Sequence, residues 1–250
     1  MTSPNGVAPG PRLELPDLPW NPVRPLRAIV FDLDGTLYRA APLRRRMALR
    51  LIRAYAFRPL EGWRVARVLR SYRRAQESLR ATTNWPEDLE RAQREGAARE
   101  SGSGADEVEA LVERWMRREP NSLLRDCMDR GERAFLESVA RRGIRFGLLS
   151  DYPAESKLEA MGIRDRFDQI VTAQDREVQR FKPDPRGLEI ALARLGVAKE
   201  EALYVGDRAD VDGLAAERAG VACVLIGERP RVTRWPAIRR FDELEHAIAG

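Results

Sequence analysis

Over the second half of this chain, short apolar runs that close on a polar residue alternate with stretches whose apolar positions recur every three or four residues. Residues 144–149 close on Ser150, 202–205 on Gly206-Asp207 and 221–226 on Gly227, with 169–172 a weaker run of the same kind. An earlier run, 27–31, closes on Asp32. Runs of this length without alternation predict strands covered on both faces, as in a parallel sheet. The stretches between them, about 131–142, 153–161, 185–195 and 210–219, read as helices, with Gly143, Gly162, Gly196 and Gly220 just beyond as C-cap residues. Trp235-Pro236 and 241–248 predict a last strand–helix element. The alternation predicts an α/β fold with a mostly parallel sheet.

Residues 38–129 break that rhythm. Helical spacing runs through about 42–57, 60–80, 85–94 and 106–118, while 97–104, with Ser101-Gly102-Ser103-Gly104 inside it, reads as a flexible loop. A strand-free block of this length exceeds an ordinary crossover and predicts a helical domain inserted after the first strand. The expected organisation is a leader over 1–26, a core built from 27–37 and 130–250, and an all-helical insert over 38–129. In the first inserted helix, Leu43, Met47, Leu51 and Ala54 predict the buried stripe.

Composition narrows the function. With 250 residues, 43% of them hydrophobic, the chain can bury a substantial core, and no run approaches the roughly 18 apolar residues needed to span a bilayer. The formal net charge of +5 is uneven: 39–85 carry thirteen arginines against Glu61 and Glu77, a balance of +11, which leaves 5 − 11 = −6 for the rest. A positive insert facing an acidic core would attract an anionic partner. Cys127 and Cys223, far apart, make neither a disulfide framework nor a zinc knuckle and point to buried thiols in a reducing, cytoplasmic setting. His246 is the single histidine, so hydrolytic chemistry must run on carboxylates. The seven prolines of 1–26 oppose helix and central strand and predict a loosely ordered leader pinned by Leu18 and Trp20, without the pattern of a secretory signal.

The carboxylates stand where such chemistry is usually placed. In Asp32-Leu33-Asp34-Gly35-Thr36, the alternation of extended chain lets Asp32 and Asp34 project to one side, and Gly35 permits a tight turn with open amides. Two carboxylates beside amides can hold a divalent cation and an anion together. Ser150, Lys182 ahead of Pro183-Asp184-Pro185, and Asp207, Asp210 and Asp212 all fall at the same carboxyl edge, where open α/β sheets bind ligands.

In these residues the chain resembles the haloacid dehalogenase-like hydrolases, a superfamily dominated by Mg²⁺-dependent phosphatases. Phe31-Asp32-Leu33-Asp34-Gly35-Thr36-Leu37 resembles the first motif, Leu148-Leu149-Ser150 the second, Lys182-Pro183-Asp184-Pro185 the third, and 205–212 with Ala219-Gly220 the fourth. The resemblance implies a Rossmann-like core under a helical cap. It implies Asp32 as nucleophile toward phosphorus, Asp34 as general acid and base, and Mg²⁺ held by Asp32, the Asp34 carbonyl and Asp207. Asp212 would orient a metal-bound water or Lys182, and Asp210 would cap a helix or stand farther out. Lys182, Ser150, Thr36 and the amides near Gly35 would bind the phosphate oxygens.

Within the superfamily, the dehalogenase branch lacks a carboxylate where this chain has Asp34, and the phosphonate-cleaving branch uses a cap lysine that 38–129 lacks. The expected activity is hydrolysis of a small anionic phosphomonoester; a phosphomutase shares the first step. Trp63, Arg67, Arg70 and Arg74 share an approximate face that would suit an anionic membrane lipid or, less well, nucleic acid. A non-catalytic interaction module would have no use for the full set of chemical groups.

Overall fold

The computed structural model describes residues 25–129, 131–227 and 234–249. Its strands are β1 (Ala28–Phe31), β2 (Arg145–Ser150), β3 (Gln169–Thr172), β4 (Ala202–Gly206), β5 (Ala222–Ile226) and β6 (Ala237–Ile238). All pair in parallel in one sheet of order β3-β2-β1-β4-β5-β6. The helices that return the chain are α6 (Glu132–Ala140), α7 (Glu155–Met161), α8 (Arg186–Leu195), α9 (Leu214–Ala219) and α10 (Phe241–Ala249). The predicted α/β core is thus present, and the final strand–helix element is its sixth strand with α10. The expected leader lies outside the described residues except for Pro25 and Leu26, and Leu26 is buried.

Both faces of β1 are covered, which is why its sequence does not alternate. Ile29 and Phe31 pack with Phe135 and Leu136 of α6, Leu158 of α7 and Phe241 of α10, while Ala28 and Val30 pack with Leu188 and Leu192 of α8 and Ala216 of α9. The Phe31 ring meets Phe146 and Phe167 edge-on at 5.7 and 6.1 Å between centroids. Burial of such a ring contributes roughly 2–3 kcal/mol, so β1 is firmly held where its next residue is Asp32. Cys127 and Cys223 are buried free thiols, as expected.

Between β1 and α6 the chain is helical: α1 (Ala40–Ala54), α2 (Pro59–Arg80), α3 (Leu89–Ser101), α4 (Ala105–Val112) running into a π-helical turn Glu113–Arg118, and α5 (Asn121–Leu124). Val68, Tyr72, Ala97, Val108 and Val112 form this insert's own small core. One expectation changes. The loop placed over 97–104 is helix as far as Ser101, because Ala97 and Ser101 are buried and the Ser101 hydroxyl donates to the Ala97 carbonyl; only the residues after it turn, on a left-handed Gly102. The chain near 129 meets both parts: Leu124 and Cys127 join the cluster around Phe31, while Asp126 pairs with Arg46 of α1 at 3.0 Å.

Candidate active site

β1 and β4 are neighbours, so the residues that follow them meet. Asp32 donates its amide to the Val205 carbonyl at 2.8 Å, and carboxylate oxygens of Asp32, Asp207 and Asp212 lie within 4.8 Å of one another. The turn after β1 requires a glycine: Gly35 has φ +112°, and a Cβ there would stand 2.2 Å from Asp207 Oδ2.

Lys182 closes this cluster from the loop before α8. Its Nζ donates to Asp32 Oδ1 at 2.5 Å, Asp212 Oδ1 at 2.7 Å and the Tyr204 hydroxyl at 3.2 Å. Burial alone would lower its pKa, but the Asp212 and Asp32 charges outweigh that and hold it well above the ordinary lysine value. Asp212 Oδ2 accepts the Asp207 and Arg208 amides at 3.2 and 3.0 Å, which fixes the turn after β4. Asp32 is pushed up to about 6 by burial, against the pull of Lys182. Asp207, the most accessible of the three acids, is pushed up to about 8 by burial and by the Asp32 and Asp212 charges.

These acids fit a hard divalent cation. They offer oxygen donors at short mutual distances, and one cation leaves their repulsion only partly offset, as the raised values at Asp32 and Asp207 indicate.

Asp34 has a different environment. Its Oδ1 accepts both the Tyr38 hydroxyl and Lys157 Nζ, the latter at 2.5 Å, which leaves Oδ2 for a proton transfer. Burial would raise its pKa, yet the charge and hydrogen bond of Lys157, helped by Tyr38, bring the net value below the ordinary one. Thr36 Oγ1 donates to Asp32 Oδ2 at 3.0 Å. Ser150 is buried at the end of β2, and its Oγ accepts the Tyr152 amide at 3.3 Å. Asp210 stands apart, exposed and paired with Arg208 at 2.7 Å.

Four residues of this neighbourhood escaped the sequence reading: Lys157, Asp151, Arg80 and Gln76. Asp151 accepts the Arg80 guanidinium and Gln76 Nε2 on Oδ2, and the Lys182 amide at 3.3 Å on Oδ1. One carboxylate therefore ties the end of α2 to the loop before α8. Lys157 carried a signal: the chain has three lysines against forty-one arginines, and two of the three, Lys157 and Lys182, stand here.

Above these groups, core and insert enclose a cavity of about 610 Å³. Met47, Leu51, Leu69, Trp115 and Met116 line its far wall. The α1 stripe thus faces this space rather than a closed core: Leu43 is buried, Met47 and Leu51 are half-buried, and Ala54 is exposed. Arg44, Arg70 and Arg73 also line the cavity, with no carboxylate partner among the described residues.

Carboxylates at adjacent strand ends and a buried lysine between them thus lie under a helical roof. The chain belongs to the haloacid dehalogenase-like hydrolase family, whose model it matches over residues 26–220. Phosphoglycolate phosphatase of Yersinia pestis is 30% identical over 223 residues, 80% of each chain. Glyceraldehyde 3-phosphate phosphatase of Methanopyrus kandleri is 31% identical over 209 residues, 80% of this chain and 84% of that one. Among solved structures, 2-haloacid dehalogenase of Pseudomonas syringae superposes with a TM-score of 0.59 at 21% identity, covering 90% of this chain and 98% of that one. The magnesium-bound HAD hydrolase YfnB of Bacillus subtilis does so with a TM-score of 0.66 at 15% identity, covering 90% and 99%. The structures share the fold, and the phosphatase relatives make this chain a phosphoric monoester hydrolase.

Proposed function

We propose that the protein is a Mg²⁺-dependent phosphatase that hydrolyses a small phosphomonoester through a phospho-aspartyl intermediate. The observation that carries this reading is the convergence of Asp32, Lys182, Asp207 and Asp212 at the ends of β1 and β4. Mg²⁺, held by Asp32, the Asp34 carbonyl and Asp207, would offset the charge of nucleophile and phosphate.

An Asp32 oxygen attacks phosphorus, and the bond from phosphorus to the leaving oxygen breaks as the acyl phosphate forms. Asp34 Oδ2 gives its proton to that oxygen and then takes one from the water that attacks the acyl phosphate, releasing inorganic phosphate and the free Asp32 carboxylate. Lys157 and Tyr38 favour the ionised Asp34 that the second step needs. The incoming phosphate charge works the other way and raises its proton affinity for the first step. Lys182, Thr36, Ser150 and the amides near Gly35 serve the phosphate oxygens. Arg44, Arg70 and Arg73 support an ester with a further anionic group, a class that includes the phosphoglycolate for which relatives are named.

The test is turnover of p-nitrophenyl phosphate with Mg²⁺ or EDTA, followed by a panel of phosphoglycolate, sugar phosphates, nucleotides and lipid phosphates. Mg²⁺-dependent turnover and about a tenfold or greater preference for one class are expected. Asp32→Asn should lower kcat by about 10⁴-fold or more. Acid-stable phosphate recovered on the Asp32→Asn protein, or metal-independent turnover, would sink the reading.

A further inference from the structure

The large apolar side chains most exposed among the described residues are Leu49, Ile52, Phe57, Leu60 and Trp63, with Phe57 at 99%. All five fall where α1 gives way to α2. On α1, Leu49 and Ile52 point away from the side on which Leu43, Met47 and Leu51 meet the protein, so this helix is apolar on two faces. An isolated exposed leucine needs no explanation, but a cluster of this kind marks a surface that meets something apolar.

Charge decides what that is. Arg45 and Arg53 stand exposed on α1 without an ion-pair partner among the described residues, and Arg67 lies over the Trp63 ring at 5.1 Å. Glu61 is the one acid between Arg39 and Gln76, and it is paired with Arg58 at 3.2 Å. In a two-fold dimer the same patch would face itself and set these arginines against their own copies. A surface that is apolar beneath a negative outer layer suits them better: an anionic leaflet attracts each nearby arginine, and an indole is at home at the level of the head groups. No described helix is long and apolar enough to cross a membrane, so the contact is superficial.

We propose that the α1–α2 corner is a docking surface for an anionic lipid bilayer, with Phe57, Leu60 and Trp63 entering the head-group region and Arg45 and Arg53 meeting lipid phosphates. The far wall of the catalytic cavity is the other face of the same corner, so docking sets that wall against the membrane.

The experiment is flotation of the full-length protein with vesicles of phosphatidylcholine, alone or mixed with phosphatidylglycerol. Binding should need phosphatidylglycerol and weaken as salt is raised. Replacing Phe57, Leu60 and Trp63 together with serine should lower the bound fraction about tenfold, while turnover of p-nitrophenyl phosphate in solution stays at the wild-type level and reports a folded protein. Arg45→Glu with Arg53→Glu should remove the preference for phosphatidylglycerol. Equal flotation on both lipid mixtures, flotation that survives the serine variant, no flotation at all, or a solution dimer that the serine variant dissolves would each overturn the proposal. None of the flotation readouts depends on the catalytic reading.

Discussion

At the sheet edge each buried cation has a carboxylate: Lys182 spans Asp32 and Asp212, Lys157 holds Asp34, and Arg80 holds Asp151. At the α1–α2 corner the arrangement is reversed, with Arg45 and Arg53 unpaired among the described residues and five large apolar side chains in water. Burial explains the difference. A charge taken from water costs several kcal/mol unless it is paired, so the floor of the site is ordered by necessity. An exposed arginine costs almost nothing and is free to meet whatever anion arrives. The sheet edge is therefore built to hold charge in place, and the corner to present it.

Removing the cation at the floor should have the largest effect. Lys182→Met leaves Asp32 and Asp212 facing each other in a buried site, with the Tyr204 hydroxyl unable to replace the ammonium. Turnover should fall by about 10²–10³-fold, and stability by about 3–5 kcal/mol. Kinetics and urea unfolding measure the two, and Lys199→Met, at an exposed position, is the control that should change neither. A Lys182→Met protein as stable as wild type would mean that the buried acids lose their charge instead of bearing it unpaired.

A smaller effect sharpens the electrostatic side. Without metal, Asp207 is raised from 3.8 to about 8 by burial and its acidic neighbours. Its neutral form is favoured in the folded protein, so this contribution to stability is full below about pH 4 and is lost as pH rises through about 8. Asp207→Asn removes that dependence. The EDTA-treated variant should match wild type near the acid end of the range and melt above it at pH 8, and Mg²⁺ should raise the wild-type Tm there far more than the variant's. Asp32, raised to about 6, adds a slope of the same sign to both proteins. Identical melting curves at pH 8 would remove the crowding argument for a cation.

What the sequence made legible follows the same division. Asp32, Ser150 and Asp207 were readable because a parallel strand buried on both faces announces its end, and all such ends share one edge. Lys182 was readable through the Pro183-Asp184-Pro185 frame beside it. Lys157 lies on α7, where helical periodicity reports burial but not a partner on the loop after β1. Asp151 stands beside Ser150 in no recognisable motif, although it ties α2 to the loop before α8. Arg80 and Gln76 were hidden because an Arg-rich helix looks the same whether its last turn meets solvent or a buried acid. The misread stretch 97–101 shows a tertiary override: Ser101 and Gly102 look like linker, but packing against α2 keeps the helix going until the left-handed glycine.

The smallest effect concerns a contact between insert and core. Asp151 meets Arg80 and Gln76 of α2 on one oxygen and the Lys182 amide on the other. Arg208 adds a second tie, donating to Glu77 at 3.2 Å. Arg80→Gln removes the cation but leaves Asp151 its bond to Lys182. The insert should then close less often while the floor keeps its geometry, so KM should rise about tenfold and kcat change by less than about threefold. Asp151→Ala cuts both ends and should lower kcat as well, because the Lys182 amide loses its acceptor. If Arg80→Gln lowered kcat as much as Asp151→Ala, the arginine would be acting on the floor through Asp151, and the presenting and holding halves of the molecule would be one unit. If neither variant moved KM, substrate would enter without help from α2, and the insert's contribution would lie in the cavity wall alone.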